Sequence, residues 1–131
     1  GTVVTGTGPH AGDADSRRFG FNIEDVTRVH SLLAWTTVAL TVALLAVLHR
    51  TDAPPAVRRL TQALFALELG QGLLGYVQYF LGVPAPLVVL HMIGSALMWI
   101  VVLRLLLAVR DRGSQPAPAP APGPTEAPQP A

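Results

Sequence analysis

Two histidines, His30 and His91, carry the strongest chemical constellation in this chain. Each lies in a long apolar stretch. Two imidazoles that meet at one depth from two helices can hold one haem (heme) iron between them, one on each axial face. The elements that carry the two side chains decide whether they meet.

Residues 29 to 49, VHSLLAWTTVALTVALLAVLH, hold no formal charge unless a histidine is protonated. At about 1.5 Å per residue this run is long enough to cross a hydrocarbon core of about 30 Å. Asn22 is the expected N-cap, with Asp25 in an acidic first turn, so the helix is expected to begin near Ile23. Pro54 and Pro55 break the Arg50–Arg59 loop. A second helix is expected over about 56–80 with one acid, Glu68, and a tight turn at Gly82, Pro84 and Pro86. A third helix is expected over about 87–109, with Arg104 close enough to its end to snorkel. The first and third helices then run in the same direction. His30 lies about seven residues past Ile23 and His91 about four past Leu87. That offset is only a few ångströms, within the uncertainty of helix ends.

Small residues flank both histidines, Ala34 and Thr37 after His30, and Gly94 and Ser95 after His91. They share a face with the imidazole and leave room for a flat macrocycle. The competing reading is that small residues serve helix packing and that each histidine only hydrogen-bonds a neighbour. Matched depth on parallel helices favours ligation.

The bulk composition agrees with a membrane setting. Half of the 131 residues are apolar and only 13% are charged, against roughly a quarter in soluble domains. A net charge of +1 gives no footprint for nucleic acid. With no cysteine, disulfides, Cys-ligated zinc, iron–sulfur clusters and thiolate nucleophiles are excluded, so redox chemistry must come from a bound cofactor. The expected fold class is all-α: an integral membrane helical bundle fragment with three transmembrane helices and a disordered C-terminal tail. Its divisions are a loop over 1–25, the three helices over 26–112, and a Pro/Ala-rich tail over 113–131. Arg50, Arg58 and Arg59 lie in the first connection, and Arg104, Arg110 and Arg112 at the far end of the third helix. The positive-inside rule puts that end and the tail in the cytoplasm and residues 1–25 outside. Acids surround the contrary Arg17, Arg18 and Arg28. An outer N-terminus without a signal peptide requires a preceding helix, so the sequence reads as part of a longer chain.

Other polar residues leave their readings open. Glu68, near mid-bilayer, is either a proton relay or an acid satisfied by Gln71 or Gln78. Gly70, Gly72 and Gly75 permit close helix packing. Arg17 and Arg18 pair either with the neighbouring acids or with haem propionates. Tyr76, Tyr79, Trp35 and Trp99 are interfacial anchors or cofactor neighbours. His49 reads as interfacial, and His10 sits in a glycine-rich loop that is no P-loop, since no Gly-Lys-Ser/Thr follows it.

The segments GTVVTGTGPHAGD, VTRVH, LELGQGLLGYVQYFLGVP and VVLHMIGSALMW resemble the C-terminal half of haem A synthase in its actinobacterial form, over residues 1 to about 107. The resemblance implies an eight-helix protein of two similar halves that oxidises a ring methyl of haem O to the formyl of haem A. It implies a histidine pair in each half, the C-terminal pair holding a haem b (heme b) cofactor. By position His30 and His91 match that pair, as cofactor-binding and iron-ligating residues. The N-terminal half is the expected site of the substrate and of a catalytic glutamate. That half is absent from this sequence, so the fragment alone is expected to be inactive, and Glu68, in a different motif, does not replace the missing acid. Expected partners are haem O through the missing half, membrane lipid and an electron donor, with no nucleic acid. Two other functions compete: a bis-histidine cytochrome b module without its own substrate, and a helical packing or transporter piece without a cofactor.

Overall fold

The computed structural model describes residues 1–9 and 17–110. The expectations for His10, Asp13, Asp15, Arg112 and the 113–131 tail fall outside those residues. The described chain is all-α, in the order α1 (Thr2–Thr7), α2 (Ile23–Arg50), α3 (Pro55–Phe80) and α4 (Ala85–Val109), with no strand among the described residues.

Helix α2 starts where its cap demands. The Asn22 side chain accepts a hydrogen bond from the Glu24 N–H at 2.8 Å, satisfying an otherwise orphaned donor. Glu24 and Asp25 in the first turn, with His49 and Arg50 in the last, complement the helix dipole. Pro55 opens α3 at a first-turn position that needs no N–H. Helix α4 starts at Ala85, two residues before the expected Leu87, because Pro86 also fits a first turn and so opens the helix instead of delaying it. The α3–α4 turn is a Schellman closure. Val83 N–H bonds the Gln78 carbonyl at 2.8 Å and Gly82 N–H that of Tyr79 at 3.4 Å. Gly82, at φ 72°, supplies the left-handed step that this closure needs.

The 1–25 segment was expected to be a loop throughout, and its start is instead the short helix α1. The Thr7 hydroxyl donates to the Val3 carbonyl at 2.8 Å, and the Phe19 N–H donates to the Gly6 carbonyl at 3.0 Å. The Phe19 ring occupies the space a β-carbon on Gly6 would fill. This contact, absent from local composition, holds Phe19 against α1.

Helix α3 packs against both α2 and α4, whereas α2 and α4 make no close backbone approach to each other. Pairs between α2 and α3 (Trp35 with Tyr76, Thr41 with Glu68) run in opposite senses. So do those between α3 and α4 (Gln78 with Leu87, Gly75 with His91, Gln71 with Gly94). Helices α2 and α4 are therefore parallel, with α3 antiparallel between them. Both α2 and α4 are long and apolar enough to cross a membrane. Only 11% and 6% of their most apolar stretches are buried within the protein, so their apolar surfaces face outward, as a lipid solvent requires. Helix α3 has comparable length but carries Arg58, Arg59, Gln62, Glu68, Gln71 and Gln78. Its buried positions, Val57, Thr61, Leu64, Glu68 and Gln78, trace one face.

Candidate functional site

Positions 30 and 91 each fall about two turns into their helices, which start at Ile23 and Ala85. The two imidazoles reach into the gap between α2 and α4. Their ring centres are 6.4 Å apart and their planes inclined at 73°. This separation lies in the range of about 4.5–7 Å for an edge-to-face ring contact. It also suits a metal between them: two metal–nitrogen bonds of about 2 Å, plus about 1 Å from each nitrogen to its ring centre, total about 6 Å.

Two further observations bear on the choice. His91 Nδ1 is buried and has no hydrogen-bond partner, an uncommon state for a buried polar atom. A direct contact between the two rings leaves that atom unexplained. Moreover, the helices that carry the imidazoles make no close backbone approach to each other, so the two side chains meet across the space between them. Among the described residues no group of three or more His, Cys, Asp or Glu side chains gathers to hold a bare metal ion. A two-imidazole site fits instead a metal whose other ligands come with a cofactor, as in a haem. On these grounds the residues present fit the group that the resemblance implies.

Helix α3 sets the position of the α4 histidine. A β-carbon on Gly75 would lie 3.6 Å from His91 Cε1, so the ring rests close against the α3 backbone. One turn before His91, the Leu87 carbonyl accepts a bond from Gln78 Nε2 at 2.9 Å. Gln78 is 9% exposed and ties the first turn of α4 to the end of α3. Sequence reasoning had named Gln78 only as a companion of Glu68.

The small residues divide differently from expectation. Gly94 does not leave room for a macrocycle: the Gln71 side chain fills the space beside it, and any β-carbon there would collide with that amide. Ser95 turns its hydroxyl back to the Met92 carbonyl, and Thr37 does the same to Leu33. Ala34 and Thr37 remain exposed beside His30. Gly70 and Gly72 border open space.

Glu68 is satisfied neither by Gln71 nor by Gln78. Its Oε1 accepts a bond from the Thr41 hydroxyl of α2 at 2.8 Å, while its Oε2 and the Oε1 of Gln71 are buried without partners. Nothing in the sequence near Glu68 signals Thr41, since the partner lies on another helix. Trp35 Nε1 donates to the Tyr76 hydroxyl at 3.1 Å, so these two aromatic residues also link α2 to α3. Arg28 lies 3.9 Å from Asp25 in an exposed pair, while Arg17, Arg18, His49 and Trp99 are exposed.

Searches among curated proteins and among solved structures found no match. A family model does match, that of the cytochrome oxidase assembly proteins (COX15-CtaA), over residues 2–103. The match takes in the capped start of α2, the α3 face that carries Gln71, Gly75 and Gln78, and both histidines. With most of its length matched, the chain belongs to the family of cytochrome oxidase assembly proteins.

Proposed function

We propose that this chain forms the cofactor-haem site of a haem A synthase, the membrane enzyme that oxidises a ring methyl of haem O to the formyl of haem A. Family membership supports the broader role, in cytochrome oxidase assembly. The observation that carries the specific reading is the pair of imidazoles 6.4 Å apart across the gap between α2 and α4.

In this reading His30 and His91 would hold one haem b, which when bound would supply reversible one-electron transfer. Each imidazole ligates as the neutral ring through one nitrogen. A haem iron held by both imidazoles would keep no position open for oxygen. Methyl oxidation therefore belongs to a different site, and the residues here serve electron delivery. Gly75 lets the His91 ring lie against α3, and Gln78 fixes the turn from which His91 projects. The α3 helix also spans the membrane in this reading, with its polar face turned towards its neighbours. The arginine-bearing end of the bundle then faces the cytoplasm.

The test is spectroscopic. The full-length protein, purified from membranes, should give the sharp reduced-state bands of a six-coordinate low-spin haem. His30→Ala and His91→Ala should each abolish or perturb those bands, whereas His49→Ala should not. A wild-type spectrum in both of the first two variants would overturn the assignment. Formation of haem A from supplied haem O separates a synthase from an electron-transfer module without its own substrate.

A further inference from the structure

At the end of the bundle remote from the histidines, the first turns of α3 and the last turns of α4 border a shallow, open groove of about 520 Å³, lined by Ala56, Arg59, Leu60, Arg104, Leu107 and Ala108. We infer that this groove binds one anionic phospholipid, its phosphate held between Arg59 and Arg104 and its acyl chain laid along Leu60. The inference rests on the chain spanning a membrane but not on the haem assignment.

Charge and position carry it. Two arginines from different helices line one groove, and none of the lining residues is acidic. Two positive side chains lining one groove, with no acid among its walls, make it attractive to an anion. Arg50 and Arg58 add positive charge at the same end, against Asp52, and Arg110 is followed by Asp111 and Arg112 in the sequence. The helix ends contribute little, because the positive end of α3 lies beside the negative end of α4. The attraction must therefore come from the side chains.

Depth favours a lipid headgroup. Arg59 lies a little more than one turn inside the start of α3, and Arg104 a little more than one turn inside the end of α4. From there both long side chains reach the level of the phosphates while their stems remain among acyl chains. Ala56 and Ala108 keep the mouth of the groove open, and Leu60 and Leu107 give it apolar walls. Guanidinium forks suit phosphate oxygens geometrically as well as electrostatically. A basic pocket between membrane helices with apolar walls is the kind of site that takes anionic headgroups.

Native mass spectrometry of the full chain in detergent, with phosphatidylglycerol or phosphatidylcholine added, tests the site. The wild type should retain one phosphatidylglycerol in preference to phosphatidylcholine. Arg59→Gln and Arg104→Gln should each weaken that preference about fivefold, and the double variant should lose it. Arg58→Gln, outside the groove, should keep it, as should the charge-retaining Arg59→Lys/Arg104→Lys pair in large part. Should the double glutamine variant not accumulate, the single variants decide. Equal retention of both lipids by the wild type, an undiminished preference in the glutamine variants, or displacement of the lipid by excess inorganic phosphate would each overturn the proposal.

Discussion

At the arginine end of the bundle Leu48, Val57, Leu64 and Leu105 close on one another, with Leu60, Met98, Val101 and Val102 packed around them. At the histidine end the same face of α3 presents Gln71, Gly75 and Gln78, and its contacts are the Gln78–Leu87 hydrogen bond, Gln71 filling the space beside Gly94, and one ring seated on a glycine. Thr41 and Glu68 mark the changeover. The difference is physical. Lipid tails are as apolar as leucine, so membrane helices gain little from apolar burial alone and associate through close packing and polar links. Where only cohesion is needed, interdigitated side chains supply it. Where two imidazoles must face each other across a gap, packing would close the gap, so a few directed bonds fix the helices and leave the space. The unpartnered buried atoms, Glu68 Oε2, Gln71 Oε1 and His91 Nδ1, lie at or beyond the changeover.

The sharpest way to break this comparison is to exchange effects between the ends. On the proposed haem reading, replacing His30 or His91 with alanine should abolish or perturb the six-coordinate spectrum while the helical circular dichroism stays near wild type. Leu105→Ala should do the reverse. It leaves a void in the apolar cluster and should lower stability by about 2–3 kcal/mol, the lower part of the usual range because lipid supplies no large transfer term. Thermal unfolding in detergent would read the loss, and the haem bands should be unchanged below the transition. A spectrum lost in Leu105→Ala would mean that the two ends are not separable.

Gly94 stands between the regions and should feel both. Any side chain there meets the flexible end of Gln71, which must swing aside, so Gly94→Val should cost about 1 kcal/mol, the low end for overpacking. It should also perturb the haem spectrum, because Gln71 and His91 occupy neighbouring turns of the α3–α4 contact. Gly70 faces open space, and Gly70→Ala should gain up to about 1 kcal/mol of helix propensity with no spectral change. Equal behaviour of the two variants would remove the distinction drawn between these glycines.

How much of this was legible in the sequence follows from the range of each signal. The cap at Asn22, the start of α2 and the end of α3 are written locally and were read within a residue or so. The two-residue error at α4 came from treating Pro84 and Pro86 only as breakers, when both tolerate a helix start. Helix α1 was missed because Phe19, thirteen positions beyond Gly6, supplies the contact that orders it. Register between helices was the information most thoroughly absent. Gly94 reads from sequence as space for a macrocycle, but Gln71 fills it, and of the two readings open for Glu68 the one that satisfies it within its own helix misses Thr41 on α2. The nearness of His30 and His91 was legible, since direction and depth depend only on connection lengths and helix starts.

At the changeover, Thr41→Val should strip the one donor from Glu68 and leave both carboxyl oxygens without a partner. The expected cost is about 1–2 kcal/mol. Pairing it with Glu68→Leu should restore much of that loss, since removing both partners costs less than removing one. Thermal unfolding of the two singles and the double gives the coupling directly. Strict additivity would show that the bond at 2.8 Å contributes nothing.

The smallest effect belongs to the cap. Asn22→Ala removes the acceptor for the Glu24 N–H and should cost about 1 kcal/mol, with Asn22→Ser nearly neutral and Asn22→Gly costing only a few tenths. The consequence should stay local, because helix ends fray by single turns and His30 lies about two turns further on. Hydrogen exchange should therefore speed up at residues 24 to 26 in Asn22→Ala and remain slow at His30, with the haem bands unmoved. An altered spectrum would mean that the depth of His30 is set by the exposed cap. An unaltered one would place that control deeper, in the bonds from Trp35 to Tyr76 and from Thr41 to Glu68, which hold α2 against α3.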